Sequence, residues 1–204
     1  MTESLESLQK RKSTIRKQAH ANRNAQEDKD TLSQTICEKF VALPAYARAK
    51  TVLFYIDVRA EVRTRFYLPS VLDSDKRLIV PYCVDGEQLE LFLLESMDEI
   101  ETGMYKILEP KRELRERPEK QIDVKEVDLI MVPGVAFDRR GARMGHGKGY
   151  YDRLLSDARP DAPLVALAFE CQMFPEVPVG EHDIFMDAIL TEQNTFPGRG
   201  RNQP

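Results

Sequence analysis

The chain has 204 residues, 42% of them hydrophobic, with 34 acidic and 30 basic residues and a formal net charge of −4. That length suits one domain with appendages, and the near balance of charge excludes a protein that coats nucleic acid with its whole surface, leaving only a local basic patch open. No apolar run approaches the ~18 residues needed to cross a membrane, and the opening MTESLESLQKRK lacks the apolar core of a signal peptide, so a cytoplasmic location is expected.

Residues 3–24 are polar and basic, with Leu5, Leu8, Ile15 and Ala19 at roughly helical spacing, which predicts a surface helix with a thin apolar stripe. A second helix is expected from about Gln26 to Val41, through Leu32, Ile36 and Phe40, closed by Pro44. The pattern then changes. Thr51–Ile56 is a short, nearly all-apolar run rich in β-formers, as a strand buried on both faces requires. Similar runs follow at Arg77–Pro81, Leu89–Leu93, Asp128–Val132, Leu164–Phe169 and Asp187–Leu190. A helix is predicted between the first two runs, about Val62 to Leu72, and another from Tyr150 to Ala158, ended by Pro160. Strands alternating with helices imply an α/β fold: a three-layer sandwich around a largely parallel, Rossmann-like sheet, preceded by an N-terminal helical segment of about residues 3–42. Residues 1–195 are expected to form a single domain. The charged stretch Lys111–Lys125, which holds Pro118, reads as a mobile surface excursion, and residues 196–204 as a disordered tail. Cys37, Cys83 and Cys171 stand far apart with no C-x-x-C pair, which disfavours zinc or a disulfide framework and leaves small buried hydrophobes in a reducing compartment.

The most informative stretch runs from Val132 to Arg153, between a strand and a helix, where open α/β sheets bind ligands. Gly145, Gly147 and Gly149 alternate; without Cβ atoms they let backbone N–H groups approach an anion, and the following helix adds its positive end. Arg143 and Lys148 supply full charges in the same turn. The segment nevertheless fails both standard nucleotide fingerprints. Ala142 stands five residues before Gly147 and Gly149 follows the lysine, so it is no P-loop, and Tyr150 occupies the third glycine of the dinucleotide motif. From the residues alone it is an anion cradle.

The run GARMGHGKGYYDR, with DLIMVPGVAFD before it, resembles the signature of the 5-formyltetrahydrofolate cyclo-ligase (5,10-methenyltetrahydrofolate synthetase) family, and the resemblance extends from about Lys10 to Leu190. It implies an enzyme that uses ATP as co-substrate and Mg2+ as cofactor. Such an enzyme closes 5-formyltetrahydrofolate to 5,10-methenyltetrahydrofolate, with release of ADP and phosphate. The implied route is phosphorylation of the formyl oxygen and attack by N10. By that resemblance Lys12 and Arg16, four residues apart on one helical face, approach the ATP phosphates. The ATP segment is Arg143, Met144, Gly145, His146, Gly147, Lys148, Gly149, Tyr150 and Tyr151, with Lys148 and Arg143 as the catalytic cations. Substrate falls to Ile56, Glu61, His146, Lys148 and Tyr150, the Glu61 carboxylate accepting from pterin N–H groups. Of the two tyrosines, one is expected in the core and the other at the substrate. Asp152 and Asp183 match the family's magnesium carboxylates. His146 departs from the arginine or aromatic expected there. His20 and His182 read as structural or exposed. The partners implied are 5-formyltetrahydrofolate and ATP, with no nucleic acid and no membrane, in a monomer or weak homodimer.

Two rivals account for less. A sugar-phosphate-binding protein would use the same loop but leaves Asp152 and Asp183 without a metal role. An RNA-binding module on Lys10, Arg11, Lys12, Arg16, Lys17 and Arg23 leaves the glycine loop unexplained.

Overall fold

The computed structural model describes residues 4–84, 88–103 and 107–201; residues 1–3, 85–87, 104–106 and 202–204 and the side chain of Leu5 lie outside that description. The chain opens with helix α1 (Leu5–Ala25), capped by Ser4, whose hydroxyl accepts from the Ser7 N–H at 3.2 Å. Helix α2 (Lys29–Val41) buries Ile36, Cys37 and Phe40 along one face. Pro44 does more than follow α2. It occupies the first position of a short helix, α3 (Pro44–Arg48), where its fixed φ suits the turn and its missing N–H loses nothing. Strand β1 (Thr51–Leu53) and helix α4 (Leu68–Leu72) lead to the hairpin of β2 (Arg77–Val84) and β3 (Gln88–Leu94). A small antiparallel pair, β4 (Ile100–Thr102) and β5 (Leu108–Pro110), precedes helix α5 (Arg112–Arg115). Then come β6 (Leu129–Val132), the tight pair β7 (Ala136–Phe137) and β8 (Arg143–Met144), and helix α6 (Tyr150–Ser156). Strands β9 (Leu164–Leu167), β10 (Ala188–Leu190) and β11 (Thr195–Pro197) complete the order.

Seven strands form one sheet in the order β11-β10-β9-β6-β1-β2-β3. The ladders from β10 through β2 are parallel, and the two edge strands, β3 and β11, run antiparallel. The apolar runs split by parity, as the twofold period of a strand requires. Val52, Leu78, Val80, Met131, Val165 and Leu167 face a core shared with Ile36 and Phe40 of α2 and Leu68 and Val71 of α4. Leu53, Ile79, Ile130, Val132, Leu164 and Ala166 face a second core with Leu155 of α6. Helical layers thus cover both faces, which is why the runs read as continuously apolar. Helix α1 lies elsewhere. Its Ala19 and Ile15 pack on Val135, Ala136 and Met144, so it sits over the β7–β8 pair beside the sheet.

Four expectations change. The helix expected over 62–72 shrinks to a 3-10 turn, Arg65–Tyr67, followed by α4. A buried polar side chain takes a backbone donor that a longer helix would use, Asp57 accepting from the Arg65 N–H at 2.9 Å. The helix expected through Ala158 stops at Ser156. The stretch 111–125 is anchored rather than a surface excursion. Lys120 is buried, donating to Glu95 at 2.7 Å and to Glu99, and Val124 joins the second core. The expected tail contributes β11, pairing Pro197 with Ala188, and Arg201 donates to the carbonyls of Ala158 at 2.9 Å and Ala162 at 2.7 Å. A guanidinium's planar set of donors gathers several carbonyls at once, which a composition-based reading of FPGRGR does not register.

Phe40 is fully buried and meets Phe54 edge-on at 5.4 Å and Tyr46 at 5.8 Å between ring centroids. Phe40→Ala should therefore cost about 3–5 kcal/mol in urea unfolding, with an unchanged m-value.

Candidate active site

Between β1 and β6 the strand order changes direction: the chain runs on from β1 to β2 on one side and from β6 to β9 on the other. Just beyond the carboxyl ends of these two strands lies a cavity of about 1220 Å³. Every residue that the sequence marks for the site borders it: Lys12 and Arg16 from α1; Ile56 and Glu61 from the segment after β1; the whole run Arg143–Asp152; and Asp183.

The glycine loop takes the backbone conformation expected of it at two points. Gly147 has φ +98° and Gly149 φ +68°, both in the left-handed region that side-chain-bearing residues avoid. Arg16 grips the loop by donating its Nε to the Gly145 carbonyl at 3.1 Å. The Lys148 side chain is exposed at the cavity, and its ammonium makes no hydrogen bond or ion pair among the described residues. Arg143 is placed differently. Its side chain is only 3% exposed; it donates to Asp152 at 2.7 Å and to the Pro133 carbonyl at 3.3 Å, and lies over the Tyr151 ring. It braces the loop from beneath, while Lys148 faces the cavity from the loop itself. The structure also separates the tyrosines. Tyr151 packs against both cores, and burial pushes its hydroxyl well above the usual range, with the Glu61 charge adding and Arg143 opposing. Tyr150 sits under the Arg153 guanidinium, 5.6 Å from its ring centroid.

Both aspartates are paired with cations. Asp183 accepts from the Lys12 ammonium and from the Gly180 N–H at 2.6 Å, in both cases through Oδ2; Asp152 holds Arg143 through Oδ1. Each leaves its other oxygen without a hydrogen bond among the described residues. No group of three or more His, Cys, Asp or Glu side chains among the described residues is placed to hold a metal alone. That donor set fits magnesium, which takes one or two carboxylates and completes its shell with phosphate oxygens and water.

On the other wall, Glu61 is buried, its Oε2 held by the Val58 N–H and its Oε1 3.7 Å from Nε2 of His146. The segment carrying it is pinned by groups that the sequence did not single out. Asp57, wholly buried, takes the Arg65 guanidinium at 2.6 Å; the Tyr55 hydroxyl donates to the Val62 carbonyl at 3.3 Å, and the Thr64 hydroxyl to the Tyr55 carbonyl. A carboxylate just after a buried strand is the only sequence signal for Asp57. The far wall, with Tyr82, Leu89, Leu108 and Arg115, comes from the β2–β3 hairpin and the β5–α5 segment, which read in sequence only as strand and charged surface. His20, expected to be structural or exposed, stacks on His146 with ring centroids 5.2 Å apart.

The basic stripe of α1 divides, with Lys10, Arg11 and Lys17 exposed and Lys12, Arg16 and Arg23 turned inward. Lys12 and Arg16 serve the cavity, Arg11 lies 3.7 Å from Glu176, and Arg23 is buried, donating to the Gly134 carbonyl at 3.3 Å. No helix among the described residues is long and apolar enough to cross a membrane.

A family model described as the 5-formyltetrahydrofolate cyclo-ligase family matches residues 8–192. The chain belongs to the 5-formyltetrahydrofolate cyclo-ligase family. Two cyclo-ligases illustrate the relationship: the mouse protein is 30% identical over 182 residues, covering 82% of this chain and 86% of that one, and the Escherichia coli protein is 27% identical over 173 residues, covering 83% and 93%. The solution structure of Aquifex aeolicus 5,10-methenyltetrahydrofolate synthetase superposes with a TM-score of 0.78 at 35% identity, over 95% of this chain and 96% of that one. A Mycoplasma pneumoniae 5,10-methenyltetrahydrofolate synthetase, 23% identical, shares the fold with a TM-score of 0.70 over 89% and 98%. The cyclo-ligase resemblance of the glycine loop therefore holds for the chain as a whole.

The cysteines are not all the buried hydrophobes expected: Cys37 is buried, Cys171 partly so, and Cys83 exposed. Burial, with Asp57 and Glu38 nearby, pushes Cys37 up to about 12, whereas Cys83 is exposed on β2 at the cavity edge. Iodoacetamide at mildly alkaline pH should alkylate Cys83 and leave Cys37 untouched until the protein unfolds, as read by peptide mass spectrometry. Ligands that fill the cavity should slow the Cys83 reaction.

Proposed function

We propose that this protein is an ATP-dependent 5-formyltetrahydrofolate cyclo-ligase acting in the cytoplasm. One observation carries the reading. A single cavity of about 1220 Å³ joins an anion-binding glycine loop to a buried, pre-oriented carboxylate, and its volume exceeds that of most single-ligand pockets, roughly 300–1,000 Å³. ATP phosphates would lie along Gly145–Gly149, within reach of Lys12, Arg16 and Lys148, and the pterin would present N–H groups to Glu61.

The chemistry asks for alignment and charge neutralisation. The N5-formyl carbon is amide-like and its oxygen is a poor leaving group. Attack of that oxygen on the γ-phosphorus breaks the bond to ADP and forms a phosphorylated carbonyl. N10 then bonds to the same carbon, its proton departs, and phosphate leaves with the C–O electrons, closing the five-membered ring. Lys148 suits the stabilisation of charge on the transferred phosphoryl group, since no side chain among the described residues holds it. Arg143 acts as a positioning residue that fixes Asp152. Asp152 and Asp183 would hold magnesium together with the phosphates, and the ion would screen phosphate charge. No side chain need form a covalent bond to substrate.

Purified protein given 5-formyltetrahydrofolate, ATP and magnesium should yield the methenyl product, followed by its absorbance; no product from folded protein, with mono- or polyglutamylated substrate, rejects the reading. Lys148→Ala should lower kcat by about 10²-fold or more with an unchanged melting temperature. An equal loss of folded protein would make the lysine structural. Asp152→Asn keeps an acceptor for Arg143, so it should fold normally yet lose the magnesium-dependent part of its ATP affinity in calorimetry. Magnesium-independent binding of a phosphate ester, unaffected by that variant, would instead favour a sugar-phosphate-binding protein.

A further inference from the structure

His146 sits between two glycines on an exposed loop, with its side chain 42% exposed, so its own backbone does little to fix the ring. Two contacts fix it instead. One face stacks on His20 at 5.2 Å and 30°, and its edge reaches Glu61 at 3.7 Å. His20 follows Arg16 by four residues on α1, so both project from one helical face. That face grips the loop twice, Arg16 at the Gly145 carbonyl and His20 at the neighbouring ring. Glu61 is approached from both sides, Oε2 by the Val58 N–H and Oε1 by His146, and each oxygen keeps a lone pair for an incoming donor.

We propose that His20 is a positioning residue: stacked on His146, it holds that imidazole against Glu61 and so links the nucleotide loop to the carboxylate that receives the folate. The proposal rests on the cyclo-ligase reading of the cavity. It assigns His20 to folate affinity rather than to turnover, because the chain of contact from His20 ends at Glu61.

The stack depends on charge. Burial, then Arg23, His146, Arg16 and Arg59 in turn, hold the His20 imidazole below its usual range, so it stays neutral at neutral pH. Arg16 and Arg23 face it from α1, Arg59 from the segment after β1 and His146 from the loop, with Glu61 beyond His146. Because the folded-state value is depressed, the contribution is present above about pH 6.5 and is lost as pH falls through the lower folded value. A proton on His20 then adds a cation beside three arginines and loosens the stack.

The test is steady-state kinetics of the full-length enzyme and two variants, with the melting temperature measured in parallel. His20→Ala should raise KM for 5-formyltetrahydrofolate about 3- to 10-fold, the size of one stacked-ring contact, with kcat and KM for ATP within about twofold. The wild-type KM for the folate should climb as pH drops from 7.5 to 5.5. His20→Phe keeps a flat ring that takes no proton, so it should restore the low KM and flatten that climb. Unchanged folate KM and pH profile in His20→Ala would overturn the proposal while leaving the cyclo-ligase reading intact. Both KM values and the melting temperature worsening together would reduce His20 to packing and overturn it as well. An inactive wild type would reject the functional reading first, and this proposal with it.

Discussion

Strands β10, β9, β6, β1 and β2 run parallel and are covered by helices or loops on both sides, so polar work has to happen at their ends. The direction change between β1 and β6 opens a crevice just there, because the segments leaving the two strands diverge. One carries Ile56 and Glu61 and the other carries Pro133 and Gly134, and the glycine loop follows within twenty residues. Everything proposed for the site, from the phosphate cradle to the folate carboxylate, depends on that divergence. The same sheet burial supplies the rigidity beneath: Tyr151 anchors the start of α6 in both cores while Asp152, the next residue, reaches the cavity.

Charge in the cavity is largely paired before any ligand arrives. Lys12 meets Asp183 and Arg143 meets Asp152, with Arg143 almost wholly buried. A buried cation left alone is costly, so the Arg143–Asp152 pair serves as structure as well as site. Lys148 is the exception in the loop: among the described residues its ammonium has no partner, and such a cation is the one most free to follow charge on a ligand. Helix α1 contributes in an unusual way. It lies beside the sheet, over β7–β8, and brings Lys12, Arg16 and His20 to the loop from outside the α/β layers.

Much of this was legible in the chain. The unbroken apolar runs around Val52 and Leu53, and from Leu129 to Val132, are a local property, and so a parallel sheet covered on both faces could be read from them. The glycine loop was legible as an anion cradle because alternating glycines with Arg143 and Lys148 leave few other readings. Its assignment to ATP and folate came from family resemblance and not from spacing, since it meets neither standard fingerprint. Two of the segments that read wrongly were governed by distant partners. Lys120 lies in a charged stretch but finds Glu95 and Glu99, and Arg201 follows a glycine-rich turn but gathers the carbonyls after α6. Composition cannot register a partner tens of residues away.

By itself the sequence determined the fold class and the central apolar strands with helices α1, α2 and α6, and it singled out the residues that border the cavity, because periodicity and residue type are written locally. Only the tertiary structure decided how those residues divide the work. Two tyrosines adjacent in sequence part company, Tyr151 into the cores and Tyr150 toward Arg153. Two cations of one loop do likewise, Arg143 beneath and Lys148 outward. His146, unassignable from its neighbours, acquires a place between His20 and Glu61. Each outcome is set by burial and by contacts between segments far apart in the chain, and these exist only once the sheet has brought its strand ends together.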